Sequence, residues 1–262
     1  MSLLPIFNFH NHRLMSLLFL ALLLSSFSPA TTGAQGDLKK AMVKIYTVVK
    51  ESDFDTPWNM KGIESITGSG CVIEGNRIIT NAHVVSNHTF IQVRLYGHPD
   101  KHAARVVAVA HEVDLALLTV DSPGFFDNIP FVPLADLPKI QQEVVVMGFP
   151  LGGDTLSMTS GIVSRIEHRR YAHSGMEFLA IQLDAAINSG NSGGPALTQH
   201  GLVGVVMQTL KDSQNIGYVV PVPLVRHFLE DLQDGRYDGF PDDGTMSLRM
   251  ENPGMKKNMA WI

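Results

Sequence analysis

The segment that decides the fold runs from Asp184 to Pro195 and has the sequence DAAINSGNSGGP. It places three glycines, two asparagines and two serines between two apolar, β-type runs. Glycine and asparagine supply left-handed backbone geometry rather than buried area, so this segment is predicted to be a loop between two strands. Taken alone, such a loop is most often just a turn.

Ser192 lies between glycines in this loop, and the glycines allow neighbouring amide groups to point into one concavity. We therefore predict an oxyanion hole formed by the amides of Gly190, Asn191 and Ser192. A set of backbone N–H groups beside a hydroxyl is what acyl transfer needs, because the donors stabilise the developing oxyanion. This chemistry also requires a base for Ser192 and a group that orients the base.

Both groups are available upstream. His83 follows the apolar strand-like run at 78–80, and Asp114 precedes the apolar run at 115–118. A lone histidine is more often structural, and a lone aspartate before a strand is more often a turn former. Here, however, the order His83, Asp114, Ser192 is the order used by chymotrypsin-type double barrels. The three positions together predict a catalytic triad.

The motifs around these residues resemble one family of serine proteases. The motifs TNAHVV at 80–85, DLALL at 114–118 and GNSGGP at 190–195 are similar to those of the HtrA/Deg (Do-like) proteases, and the similarity extends from about Val43 to the end of the chain. The run at 153–165 is most similar to the plant branch. The resemblance implies His83 as general base, Asp114 as its orienting partner and Ser192 as nucleophile.

The same resemblance implies a biological role. Members of this family are ATP-independent endopeptidases that act on unfolded or damaged proteins and need no cofactor. Aromatic residues near the start of their protease domain help to form trimers, and Phe54 or Trp58 is a candidate for this contact. An ordinary loop anchor is the alternative for both residues. The plant-type similarity implies a mitochondrion or chloroplast as the compartment.

The expected fold is all-β, a chymotrypsin-like pair of six-stranded β-barrels with a C-terminal helix on the second barrel. The protease domain is predicted at 37–236, with barrel 1 at about 42–122, barrel 2 at about 141–222 and the helix at 223–234. The loop-like tail at 237–262 resembles the opening of a PDZ domain but is too short to form one. We therefore expect the chain to stop inside such a domain.

The first 36 residues are predicted to be a targeting segment. Leu14 to Phe27 is mostly apolar but shorter than the ~20 residues that span a bilayer. The segment fits the core of a secretory signal, and an arginine-poor transit peptide or an uncleaved anchor is the alternative. Membrane association is thus expected only if the segment is retained. The sequon at 87–89 would matter only in the secretory pathway.

Composition narrows the partners and cofactors. A net charge of −5 gives no reason to expect nucleic-acid binding. Cys71 is the only cysteine, so no intrachain disulfide can form, and we expect a buried, unreactive thiol. His98 and His102 flank a turn without a third ligand, which favours solvated loop histidines over a metal site. No phosphate loop or cofactor motif is present.

Substrate preference is predicted from the residues before Ser192. In the chymotrypsin-type arrangement the pocket floor lies about six residues before the serine, which here is Ala186, followed by Ile187. The loop that begins at Gln208 is expected to form the other wall. Neither Ala186 nor Ile187 is charged, so we predict cleavage after small or medium aliphatic residues.

Two other functions are compatible with parts of the sequence. The run at 190–194 also matches G-x-S-x-G, the nucleophile elbow of α/β-hydrolases, and Asp212 and His227 follow in that family's order. The upstream chain lacks the alternating strands and helices that an esterase of this fold needs. The second alternative is a truncated, catalytically silent homologue that acts as a binding or chaperone-like module.

Overall fold

A computed structural model describes residues 38–56, 58–209, 217–241, 253–254 and 257, with the backbone alone at 208–209. The predicted targeting segment and most of the predicted tail lie outside these residues. Among the described helices, none is long and apolar enough to cross a membrane.

Barrel 1 is built from the first seven strands and a one-turn helix, α1, at Ala82–Val85. The strands are β1 Met42–Val49, β2 Glu64–Ile73, β3 Arg77–Thr80, β4 His88–Leu95, β5 His102–Ala103, β6 Arg105–Ala110 and β7 Leu115–Thr119. Their order in the sheet is β5-β4-β1-β2-β3-β7-β6. The two edge strands, β5 and β6, are separated by Ala104 alone, so one interrupted strand joins both edges of the sheet. Counted in this way, the barrel has six strands.

Barrel 2 is a closed ring of six strands in the order β10-β13-β12-β11-β8-β9. The strands are β8 Glu143–Gly148, β9 Ser157–Arg170, β10 Glu177–Leu183, β11 Pro195–Thr198, β12 Gly201–Thr209 and β13 Gly217–Pro221. Neighbouring strands are antiparallel in both barrels. The loop that contains Ser192 therefore connects β10 to β11.

The helix that follows barrel 2, α2 at Val222–Asp231, packs against β12 and β13. It buries Val222, Val225 and Phe228, which are spaced so that they share one helical face. Pro223 lies in its first turn, where the missing N–H costs nothing. A 3-10 turn continues it to Asp234, and Gly235 ends the turn in the left-handed conformation.

Candidate active site

His83, in α1, and Asp114, directly before β7, are hydrogen-bonded to each other. The Nδ1 atom of His83 lies 2.8 Å from Oδ2 and 3.0 Å from Oδ1 of Asp114, and the His83 backbone amide also donates to Oδ1. The Asp114 carboxylate is buried, whereas the His83 side chain is 28% exposed. A buried carboxylate at Nδ1 fixes one tautomer, in which Nε2 is free to accept a proton on the exposed side.

The backbone around Asp114 is itself constrained. Asp114 has a φ of 59°, in the left-handed region that few residues other than glycine adopt. The Asn81 side-chain amide, directly after β3, donates to the Asp114 carbonyl, directly before the paired strand β7, at 2.9 Å. This bond ties the turn that presents the carboxylate to the residue that precedes α1. His83 and Asp114 are thus both positioned by barrel 1.

Both barrels hold the backbone on either side of the Ser192–Gly193 peptide bond. The Ser69 amide, from β2 of barrel 1, donates to the Ser192 carbonyl at 2.8 Å. The Gly193 amide donates to the Val206 carbonyl of β12 in barrel 2 at 2.9 Å. Gly193 has a φ of 83°, and a Cβ atom there would lie 2.2 Å from both Ser69 O and Thr80 Oγ1. Only glycine fits this approach of the loop to the strand that leads to His83.

The amides of Gly190 and Ser192 are directed by the carbonyls of the preceding residues. The Ser189 carbonyl accepts from Leu151 N at 2.9 Å, and the Asn191 carbonyl accepts from Gly194 N at 2.9 Å. A trans peptide places its N–H opposite its C=O, so the amides of Gly190 and Ser192 point away from these two bonds. Neither amide donates to a described backbone group.

Asn191 differs from the sequence-based prediction of three converging amides. Its amide donates to the Asn188 carbonyl at 3.0 Å and closes a turn within the loop. Its side chain is buried at 1% exposure. The chain reverses direction between Asn188 and Asn191, and the Asn191 N–H group forms the hydrogen bond that closes this turn. The arrangement leaves two amides, rather than three, for an oxyanion.

No hydrogen bond joins His83 Nε2 to the Ser192 hydroxyl among the described residues. The structure nevertheless brings the two residues to one place, since Gly193 packs against Thr80 and Asn81, just before α1. Catalytic hydrogen bonds are often long before substrate binds. The structure therefore unites the backbone that carries the three predicted residues and shows the His83–Asp114 contact directly.

The loop between β9 and β10 covers the His83–Asp114 pair from the side of barrel 2. The His173 ring is stacked on the His83 ring, with a centroid distance of 5.8 Å. Tyr171 is 2% exposed and contacts His173. Burial and the nearby Asp114 carboxylate raise the pKa of Tyr171. The Ser174 hydroxyl donates to the Glu112 carbonyl at 2.9 Å and fixes this loop beside the Asp114 turn.

The predicted pocket residues Ala186 and Ile187 lie between the end of β10 and Ser192. Ala186 is exposed, and its carbonyl accepts from Thr159 Oγ1 at 2.9 Å. Ile187 is 7% exposed and fills the space above Gly217, where a Cβ atom would lie 2.1 Å from Ile187 Cδ1. The Gln208 backbone pairs with Tyr218, while its side chain lies outside the described part of the chain. Gly217 thus contacts the predicted pocket residue Ile187, a contact that sequence reasoning did not single out.

The described residues contain no cluster of three or more histidine, cysteine, aspartate or glutamate side chains that could hold a metal ion. His102 instead packs edge-on against Phe125, at a centroid distance of 5.1 Å.

The two antiparallel barrels and the His83–Asp114 pair are features of the chymotrypsin-like class of serine proteases. The chain matches the Trypsin-like peptidase domain over residues 68–205. A solved HtrA-type protease with a decapeptide has the same fold, with a TM-score of 0.67 and 24% identity over 79% of this chain and 67% of that one. This likeness confirms the predicted fold class.

Curated relatives narrow the assignment. The chain is 43% identical to Protease Do-like 4, mitochondrial, of Arabidopsis thaliana over 83% of its own length and 42% of that protein's. It is 39% identical to Putative protease Do-like 6, chloroplastic, of the same plant over 59% of its length and 70% of that protein's. The chain belongs to the HtrA/Deg (Do-like) family of serine proteases. The chain spans less than half the length of several of the curated relatives that it matches.

Proposed function

We propose that this protein is an ATP-independent endopeptidase that cleaves unfolded or damaged proteins after small or medium aliphatic residues. The observation that carries the proposal is the His83–Asp114 hydrogen bond at 2.8 Å, beside a loop whose amides are directed by anchored carbonyls. Membership of the Do-like family supports the substrate class.

In this mechanism Ser192 Oγ attacks the scissile carbonyl while His83 Nε2 takes its proton. Asp114 holds the imidazole in the required tautomer and stabilises the imidazolium that forms. His83 then gives the proton to the leaving amine, and water releases the acyl group by the same steps. The amides of Gly190 and Ser192 stabilise the oxyanion, and one such donor is typically worth about 10²–10³ in rate.

The test is labelling and turnover with one matched variant. A fluorophosphonate probe should label the wild type and not Ser192→Ala, and casein should be degraded at the same rate with and without ATP. Loss of the nucleophile should lower kcat by about 10⁶, to background. Equal labelling of both proteins would overturn the assignment of Ser192.

A second candidate function is a catalytically silent binding module. The observation that favours it is the missing hydrogen bond between His83 and Ser192 among the described residues, together with the stacking of His173 on His83. A wild type that binds unfolded casein without labelling or cleaving it would establish this alternative.

The proposed substrate preference follows from an uncharged pocket. Neither Ala186 nor the buried Ile187 offers a partner to a basic side chain, and Ile187 narrows the space above Gly217. Peptides with P1 valine or alanine should be cleaved with a higher kcat/KM than matched peptides with P1 arginine or lysine. Preference for the basic set would refute this assignment.

The proposed compartment is a mitochondrion or chloroplast, because relatives named for both organelles match this chain. Sequencing the mature N-terminus of protein isolated from each organelle would test it, and recovery from the secretory pathway alone would contradict it.

We further propose a homotrimer held by Phe54 or Trp58, which are 87% and 83% exposed. Light scattering should show a trimer that Phe54→Ala or Trp58→Ala weakens.

A further inference from the structure

Ser69 is the point at which barrel 1 holds the loop that carries Ser192. It lies on β2 and is fully buried. Its amide donates to the Ser192 carbonyl at 2.8 Å, and its carbonyl accepts from Thr80 Oγ1 at 2.8 Å. Its hydroxyl donates to the Gly190 carbonyl at 2.7 Å. One residue of barrel 1 thus contacts both residues whose amides face the proposed oxyanion.

The direction of the Ser69 hydroxyl is fixed by a second bond. The Phe149 amide of barrel 2 donates to Ser69 Oγ at 2.8 Å. Because this donor occupies a lone pair of the oxygen, the hydroxyl hydrogen is left for the Gly190 carbonyl. The result is a buried relay from Phe149 N–H through Ser69 O–H to Gly190 C=O.

We propose that Ser69 is a positioning residue that keeps the oxyanion hole in its binding conformation. The inference rests on the proposed function. Gly190 has a φ of 95°, and glycine moves between left- and right-handed conformations at little cost. The Ser69 hydroxyl holds the carbonyl of the Gly190–Asn191 peptide, while Asn188 holds its N–H. This peptide cannot rotate without breaking both bonds.

The chemistry at Ser69 depends on a group that donates and accepts at the same time. Alanine would leave the Phe149 amide and the Gly190 carbonyl buried without partners, which makes the present conformation of the loop unfavourable. Rotation of the peptide would then let the carbonyl reach water in the cleft. Because this rotation changes the backbone angles at the flexible Gly190, the adjoining Ser189–Gly190 peptide would lose its fixed orientation, and its N–H is one of the two proposed oxyanion donors.

The experiment compares Ser69→Ala with Thr47→Val in the full-length protein. Thr47 lies on the neighbouring strand β1, and its buried hydroxyl has no hydrogen-bond partner in the part of the chain that the structure describes, so its loss should leave activity unchanged. Ser69→Ala should lower kcat about 10- to 100-fold and change KM less than about threefold, because the oxyanion donors act in the transition state. A peptide boronate with P1 valine should bind more weakly by the same factor. The acid limb of the pH profile should not move, since the His83–Asp114 pair is untouched.

Different outcomes separate the inference from the proposed function. An active wild type with an equally active Ser69→Ala variant would overturn the inference alone, as would unchanged boronate affinity in a slower variant. An inactive wild type would overturn the proposed function and this inference with it. If Ser69→Ala does not fold, Ser69→Cys retains a weak donor and should show an intermediate kcat. A kcat equal to that of the wild type in Ser69→Cys would then contradict the proposal.

Discussion

At the residue scale, the approach of the Ser192 loop to β2 and β3 leaves no room for a side chain at 193. We expect Gly193→Ala to lower kcat at least about 100-fold and to lower Tm, because its Cβ would meet Ser69 O and Thr80 Oγ1 at 2.2 Å. Gly97→Ala is the matched control, since Gly97 has a similar φ of 79° but no neighbour within 4 Å. It should cost only about 1 kcal/mol of left-handed strain. Equal effects of the two substitutions, in thermal unfolding and in peptide cleavage, would contradict the steric argument.

The single cysteine gives a second prediction at this scale. Cys71 is fully buried, and burial raises its pKa to about 12. The thiol should therefore stay protonated at pH 8, and the thiolate is the reactive form. A disulfide reagent such as Ellman's should not react with the native protein and should titrate one thiol after unfolding in guanidinium. Rapid reaction of the native protein would show that the β2 strand opens.

At the element scale, the loop between β8 and β9 is clamped to barrel 1 by charge. Lys44 of β1 is 7% exposed at its side chain and donates to Gly153 O at 2.7 Å and to Asp154 Oδ1 at 2.8 Å. The same loop contains Leu151, whose amide holds the Ser189 carbonyl. The clamp therefore supports the direction of the Gly190 amide from a distance.

We expect Asp154→Asn to lower kcat several-fold and to lower Tm at pH 7. The hydrogen bond and charge of Lys44, with a contribution from Arg94, hold the pKa of Asp154 below its usual value of 3.8. A lowered pKa means that the stabilisation is present above the unfolded value and is lost as pH falls through the folded value. The Tm difference from the wild type should thus disappear at the lowest pH tested.

The control for this prediction is Asp121→Asn. Asp121 pairs with Arg105 on the surface of barrel 1, and both side chains are more than half exposed. Its loss should leave kcat unchanged, because exposed pairs contribute little. An equal loss of activity in both variants would show that charge in general, rather than the β8–β9 clamp, supports the site.

The elements themselves were largely predictable from the sequence. Alternating apolar residues predict β1, and a helical spacing of apolar residues predicts α2, namely Leu224, Val225, Phe228, Leu229 and Leu232. The contacts that cross between barrels were not predictable in this way. Ser69 lies in a Gly-Ser-Gly run that fits a close approach of two backbones, but its partners are Gly190, Phe149 and Ser192, far away in sequence.

At the scale of the whole molecule, the buried Tyr171 sets an alkaline limit to stability. Burial, with help from Asp114, raises the pKa of Tyr171 above its usual value of 10.0. A raised pKa means that the stabilisation is complete below pH 10 and is lost as the unfolded state ionises at higher pH. The free energy of unfolding should then fall by up to about 1.4 kcal/mol per pH unit for this group.

The measurement is denaturant unfolding from pH 8 to pH 11.5 in the wild type and in Tyr171→Phe. The variant should lose less stability above pH 10 than the wild type. Tyr96→Phe removes an exposed hydroxyl and should follow the wild type. Parallel curves for the wild type and Tyr171→Phe would show that Tyr171 ionises equally in both states.

The overall architecture followed from sequence because two barrels and three motifs belong together in this family. The order His83, Asp114, Ser192 predicted which loops meet, and the structure shows the first two in contact. The turn at Asn191, the fit of Ile187 to Gly217 and the stacking of His173 on His83 depend on packing between distant segments. Such packing between distant segments leaves no pattern along the sequence, so these three features could not be predicted from it.

Ser192 and Gly193 are fastened to different halves of the molecule, one to Ser69 and the other to Val206. A nascent chain that has completed only barrel 1 contains His83 and Asp114 but not Ser192. A chain whose barrels have separated contains all three residues but has lost the contact that places Ser192 near His83. If the proposed function holds, peptidase activity therefore requires that both barrels are folded and in contact.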